Sequence, residues 1–254
     1  MRKTDYFWLL GLILVWLAAL FVFMERYNII KEKNPREIVL LRGRGCIYKK
    51  CSFCDYHLDK CDSDEENYKL NKRVLQRVTG EFGNIEIINS GSVFELDEKT
   101  IELIKKVCSE KNISLIHFES HYLYNDRIPE LRQNFSQFEL KMKLGLESFD
   151  YDFREKILKK GIKECSPKII SRNFDEANFL FGISGQTVSS MEKDIELGLK
   201  YFERICINIM CKNSTEIQPD EAVIKAFAEK IHPEYINDSR VDILFNNTDF
   251  GVGE

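Results

Sequence analysis

From residue 37 onward the chain alternates short apolar runs with longer amphipathic stretches. The runs at 37–41, 84–89, 113–120, 140–148, 177–184, 204–210 and 240–246 are rich in Ile, Leu and Phe and end at Gly, Asn or Ser, which predicts buried strands. Between them, residues 67–79, 98–111, 150–161, 190–201 and 220–231 carry apolar positions three and four apart, which predicts helices packed on one face. Asp97, Asp150 and Ser189 stand where N-caps are expected. Strands that alternate with helices pair in parallel through right-handed crossovers. The units available are too few for a closed eight-fold barrel, so the pattern predicts an open or partial one. Functional groups then belong at the carboxyl ends of the strands.

The first residues follow a different pattern. Tyr6 to Met24, YFWLLGLILVWLAALFVFM, is a run of nineteen residues without a charge. That is long enough to cross a bilayer as a helix. Arg26, Lys31, Lys33 and Arg36 follow it and only Arg2 and Lys3 precede it, a bias that keeps the following domain in the cytoplasm. Met24 also opens an ordinary soluble N-terminus, MERYNIIKEKNPREIVLL. The expected organisation is a hydrophobic segment over 1–30 and one α/β domain over 31–254. The protein is expected to be cytoplasmic, or anchored in the inner membrane with its catalytic domain in the cytoplasm.

Composition narrows the function. A net charge of −4 argues against a protein that holds nucleic acid mainly through clustered Lys and Arg, so no stable nucleic-acid partner is expected. Cys108, Cys165, Cys206 and Cys211 lie singly in apolar or mixed segments and read as reduced core or near-core thiols. Cys46, Cys51 and Cys54 differ, crowding into GRGCIYKKCSFCDYH directly after the first strand. Thiolates select zinc, copper(I) or iron–sulfur clusters. With His57 or Cys61 as a fourth ligand the segment would make a zinc knuckle, the basis of a membrane-tethered interaction module. Three thiolates alone would instead hold three irons of a 4Fe–4S cluster and leave the fourth open.

The second arrangement resembles the radical S-adenosylmethionine (SAM) superfamily, whose three cysteines lie in the loop after the first strand of a partial barrel. Here the spacing is C-x4-C-x2-C, one residue longer in the first gap than the usual one, and Phe53 occupies the aromatic position before the last cysteine. NSGS (89–92), FESH (118–121), GLES (145–148) with ILKKGI after it, and GISGQT (182–187) each close a predicted strand and resemble motifs of the same superfamily. The resemblance implies a partial (β/α)6-type radical SAM barrel. It also implies a 4Fe–4S cluster on Cys46, Cys51 and Cys54, and SAM held near Phe53, Ser90, Gly91, Ser92, Glu119, Glu147 and Ser184. The implied chemistry is reductive cleavage of SAM to a 5′-deoxyadenosyl radical, with an electron from a flavodoxin- or ferredoxin-type donor.

A narrower resemblance, through LLRGRGCIYKKCSFCDYHLD and DILFNNTDFG, is to the queuosine-salvage lyases, which release queuine from a queuosine nucleoside or nucleotide. It implies a small-molecule substrate. Its deazaguanine needs a carboxylate, amides and an apolar face, which Asp249, Asn246, Asn247 and Phe250 would offer. Its amine and diol arm would meet Glu119 and His121, with His57 also at the pocket. A radical SAM enzyme that modifies tRNA or another nucleoside is the neighbouring alternative.

Overall fold

The computed structural model describes residues 26–245. Eight strands form one sheet in chain order: β1 (Tyr27–Ile30), β2 (Arg36–Leu41), β3 (Asn84–Asn89), β4 (Leu115–Ser120), β5 (Glu139–Glu147), β6 (Glu176–Phe181), β7 (Arg204–Ile209) and β8 (Val241–Leu244). β1 pairs antiparallel with β2, and every later pair is parallel. The helices are α1 (Asp64–Leu75), α2 (Glu98–Glu110), α3 (Ile128–Asn134), α4 (Pro167–Ile170), α5 (Val188–Tyr201), α6 (Glu221–Lys230) and α7 (His232–Tyr235). The sheet curls into the expected partial barrel.

The strands are buried on both faces, so they read as continuous apolar runs, yet their two faces differ in kind. Ile85, Ile87, Ile116, Phe118, Met142, Leu144, Ala177, Phe179, Phe181, Ile205 and Ile207 alternate along the strands and pack outward in the main hydrophobic core. The inward positions carry charge. Arg36 meets Glu86, Glu86 meets Lys143, and Lys143 lies 4.0 Å from Glu176. Glu176 pairs with Arg204 at 2.9 Å, Arg204 with Asp242 at 2.8 Å, and Asp242 returns to Arg36 at 3.3 Å. The signs alternate around a closed ring. His117 adds its Nδ1 3.1 Å from Glu176.

Backbone pairing leaves a gap between the edge strands β1 and β8, and the ring links β2 with β8 across the interior beside it. The β1–β2 turn helps, since Lys33 Nζ donates to the carbonyls of Ile236 and Val241, and Asn34 Nδ2 donates to Ser239 at 3.0 Å. Glu37, wholly buried on the opposite face of β2 from the ring, accepts from Tyr27 Oη and from the backbone N–H groups of Thr79 and Gly80. That ties β1 and the α1–β3 connection to the second strand.

Several expectations change. The domain already includes Arg26 and Tyr27, so the boundary expected at 30/31 falls at the end of a strand that is too short to be read from its pattern. Among the described residues no helix is long and apolar enough to cross a membrane, and the run at 6–24 lies outside them. The helix expected over 150–161 is reduced to one wide turn, Phe153–Ile157. There the wholly buried Arg154 guanidinium donates to the carbonyls of Ser148, Ile162 and Glu164, folding the segment around itself. Cys165 is exposed, unlike the buried Cys108 and Cys206.

Burial pushes the Glu86 carboxyl up, but Lys143, Arg36 and Arg204 outweigh it and hold the group well below the usual carboxylate range. Stability from such a group is present above the ordinary carboxylate pKa and lost as pH falls toward the depressed value. Glu86→Gln should lower the unfolding free energy at neutral pH by about 3–5 kcal/mol, because it strands buried cations. It should also weaken the acid dependence of the denaturation midpoint.

Candidate active site

The cysteine loop leaves β2 and lacks regular structure apart from one 3-10 turn, Tyr56–Leu58. Two buried asparagines of α1 fix its start: Asn71 bonds both the N–H and the carbonyl of Arg42, and Asn67 accepts from the Arg42 side chain. Neighbouring loops then tie it down at the barrel mouth. After β3, the Glu95 carboxylate accepts from Ile47 N at 2.7 Å, Ser92 N at 2.6 Å and Tyr124 Oη at 3.2 Å. After β5, Leu158 and Lys159 carbonyls accept from Ser52 N and Tyr48 Oη. After β7, Asn213 Nδ2 donates to the Phe53 carbonyl, and Asp55 accepts from Ser214. A loop with little structure of its own is thereby immobilised from three sides.

Cys46, Cys51 and Cys54 come together here, since each of the last two thiols feels the field of Cys46. Among the described residues no three Cys, His, Asp or Glu side chains converge closely enough for a single metal ion. The zinc knuckle with His57 or Cys61 is therefore not formed: His57 sits half-buried in the 3-10 turn, and Cys61 Sγ lies 3.2 Å from Glu66. Burial pushes the Cys51 thiol up to about 12 and raises Cys54 as well. As ligands both must lose their protons, which positive charge favours. Lys160 supplies such a charge beside them.

Lys160 does not stand out in the sequence, although ILKKGI contains it. Its Nζ donates to Glu147 Oε1 at 2.8 Å and stands 5.6 Å from the centre of the Phe53 ring. Burial pulls its pKa down, but Glu147 and Cys51 outweigh that and hold the ammonium charged. Glu147 adopts a left-handed backbone (φ 71°) next to a register shift in β5, which turns its carboxylate to this position. Such strain gathers where a side chain must be aimed. Gly145 makes room, because a Cβ there would lie 3.0 Å from Lys160 Nζ.

The other expected cofactor residues surround this pair. Phe53 packs with Leu158, Leu180, Ile183 and Met210 in a separate apolar cluster. A Cβ on Gly91 would overlap the Glu95 carboxylate at 1.9 Å and press on the Cys46 backbone at 3.1 Å, so only glycine lets strand end and cysteine loop meet. Ser90 Oγ donates to Asp59, and Ser92 Oγ accepts from His121 N. Ser184 is exposed at the turn after β6, which Gln186 closes with two hydrogen bonds.

Two substrate expectations change. His121 has both ring nitrogens committed: Nε2 donates to the Lys160 carbonyl at 2.8 Å, and Nδ1 accepts from Leu123 N. Burial, aided by Lys160, drives its pKa down to about 4, so it is a neutral positioning residue. Glu119, expected both at the cofactor and at the substrate's arm, lines a cavity of about 350 Å³ with Ile38, Lys143, Asn178, Cys206 and Asn208. Asn246, Asn247, Asp249 and Phe250 lie outside the described residues.

Asp194 holds the GLES strand end by accepting from Ser148 Oγ and Phe149 N, both at 2.7 Å. Burial pushes its pKa up to about 6 from 3.8. A raised carboxyl stabilises the fold fully below its unfolded pKa and loses that contribution as pH rises through the folded one. Asp194→Asn should therefore remove roughly 3 kcal/mol of pH dependence between pH 4 and 7, read from denaturation midpoints. Glu95→Gln places an amide donor against backbone N–H groups, a loss of about 1–3 kcal/mol. Amide exchange at Ile47 and Ser92 in the metal-free protein should quicken roughly 5- to 150-fold.

No family model matches the chain. An uncharacterized protein of Methanocaldococcus jannaschii is 25% identical over 193 residues, 63% of this chain and 52% of that protein, so the chain spans about half the length of this relative. Methylornithine synthase aligns at a TM-score of 0.50 and 13% identity, over 81% of this chain and 63% of that one, a likeness of fold alone. The structure of a queuine lyase from Clostridium spiroforme bound to SAM and queuine aligns at a TM-score of 0.86 and 46% identity, over 91% of this chain and 100% of that one. With that identity along the whole of the solved enzyme, the chain belongs to the queuine-lyase family of radical SAM enzymes.

Proposed function

We propose that the protein releases the base queuine from queuosine or queuosine 5′-phosphate, as a radical SAM lyase in queuosine salvage. The observation that carries this reading is the 46% identity over the full length of a queuine lyase. Once bound, a 4Fe–4S cluster and SAM supply the one-electron chemistry that starts hydrogen abstraction, with the electron from a flavodoxin- or ferredoxin-type donor.

The protein's own part is positioning and exclusion. Cys46, Cys51 and Cys54 are the cluster ligands in this reading. Lys160, paired with Glu147, adds positive charge where thiolates and a carboxylate-bearing cofactor gather. The backbone of 90–92, pressed against Cys46 through Gly91, offers polar groups to SAM. Phe53 and its apolar neighbours offer a dry face for the adenine, and Ser184 stands at the rim. The cavity of about 350 Å³ is of a size to take a nucleoside base.

The test is anaerobic reconstitution, followed by assay for queuine and 5′-deoxyadenosine with both substrates. Expected are about four irons per chain and both products. Alanine at Cys46, Cys51 or Cys54 should abolish them, and Cys61→Ala should not. If 5′-deoxyadenosine forms but no queuine is released, the substrate reading falls. Tightly held zinc without iron would remove the radical chemistry as well.

A further inference from the structure

Exposed apolar side chains gather around the cysteine loop. Ile47 is 64 % exposed, Leu123 60 % and Ile157 43 %. Scattered singly, such residues need no account, but these three are joined by contacts of one loop. Tyr48 follows Ile47 in the chain, stacks on His121 at 4.6 Å and donates from its hydroxyl to the Lys159 carbonyl at 2.8 Å. His121 Nδ1 accepts from Leu123 N, and the Ile157 carbonyl accepts from Ser52 Oγ. The three apolar residues are therefore set around Tyr48 and Ser52 at the barrel mouth, over the loop that carries Cys46 and Cys51.

The same surface is cationic. Lys49, Lys50 and Lys159 are exposed, and among the described residues no carboxylate lies within ion-pair distance of any of them. The acids beside them are spent. Glu95 accepts from Ile47 N and Ser92 N, and Glu155 accepts from Arg154 and from the N–H groups of Gly161 and Ile162. Lys49 and Lys159 both have left-handed backbones, each with φ 52°. Gly or Asn enters that region at less cost, so what a lysine adds there is its charge. A chain of net charge −4 thus presents a cationic rim around an apolar centre. An apolar centre with a polar rim is the anatomy of a protein interface, and charge on the rim steers encounter with a partner of opposite sign.

Its position decides what the partner is. Ile47 directly follows Cys46 and Lys50 directly precedes Cys51, so a protein seated here meets the segment that joins two of the cluster thiols. Electron transfer weakens steeply with distance, and the chemistry above takes one electron from outside the chain. We propose that this face docks a small acidic protein that carries single electrons, whose reduced flavin or iron–sulfur centre passes one electron to the cluster. The carrier is oxidised by one electron and the cluster is reduced by one, and no bond forms or breaks. The assignment rests on the radical chemistry of the reading above and is independent of its substrate.

The test uses the anaerobically reconstituted full chain with a reduced flavodoxin and a reduced 2Fe–2S ferredoxin, both acidic. At least one should bind and should reduce the cluster faster as ionic strength falls. Lys50→Glu combined with Lys159→Glu should lower the second-order rate of cluster reduction roughly 10- to 100-fold and flatten its salt dependence. Ile47→Ser should weaken carrier binding, read by calorimetry, about 5- to 30-fold. Reduction by dithionite, which needs no docking, should match the wild type in every variant. Lys225→Glu, exposed on α6, should match it with the carriers as well. Should charge reversal disturb the loop, slower reduction by dithionite reveals it, and Lys50→Gln with Lys159→Gln then decides through the same salt dependence. Failure of both carriers to bind, or unchanged binding and reduction in the variants, would overturn the proposal. Lost sedimentation with phosphatidylglycerol vesicles, with carrier binding unchanged, would assign the face to a membrane and overturn it too. A cluster that the carrier reduces without any release of queuine would sink the substrate reading and leave docking standing. Queuine release with dithionite but no carrier binding would do the reverse.

Discussion

The ring of alternating charges inside the barrel is the constraint on which the rest of this structure depends. Six side chains from β2, β3, β5, β6, β7 and β8 meet across the interior, and the link from Asp242 to Arg36 closes the circuit between β8 and β2, which do not pair. A buried ion pair offers little net stability over an apolar pair of the same shape, but breaking one side of it is costly. Its value here is specificity. A one-residue slip of any strand would turn its charge into the apolar outer core and its apolar residues into the ring. The ring thereby fixes register and curvature together, and with them the floor of the reaction space.

Cofactor chemistry is kept away from that floor. The cysteine loop at the mouth is held by Glu95, by carbonyls at 157–159 and by the 213–214 turn, a set of anchors separate from the ring. Two of these anchors come from loops more than a hundred residues away in sequence. The loop is therefore ordered only once the whole barrel has formed. Cys51 and Cys54 then lie neutral and half-shielded beside Lys160, poised for metal but inert as nucleophiles.

How much of this is legible in the sequence differs by element, for physical reasons. Buried parallel strands leave short apolar runs, and three thiols crowded into one short loop point to a metal, so the barrel and its metal ligands can be read. The ring cannot. Arg36, Glu86, Lys143, Glu176, Arg204 and Asp242 look like stray charges in apolar runs, and their partners lie on other strands. Nor does local periodicity report Arg154, which bends a helical pattern into a single turn by bonding carbonyls on both sides of it. Lys160 stands within a legible motif, but its proximity to Cys51 and Glu147 is a property of the closed barrel. His121 reads as a pocket residue because a histidine at a strand end looks available until both its nitrogens are traced.

One step further in from the ring, the inward positions are Ile38, Ile88, Glu119, Gly145, Asn178 and Cys206. A barrel of this width would normally fill such positions with branched side chains, as closed barrels do in packed layers. Here Gly145 and Cys206 are small, and Gly145 is required to be, since a larger residue would displace the Lys160–Glu147 pair. Cys206 lines the cavity, while Gly145 leaves room for the ion pair above it. Its wall is apolar at Ile38, Leu244 and Phe245 and polar at Glu119, Asn178 and Asn208, apart from the charges of the floor. Lys143 belongs to the floor and to the cavity wall at once, paired with Glu86 below and 3.9 Å from Glu119 above. The polar side of the cavity therefore cannot shift without disturbing a buried ion pair, and that is costly.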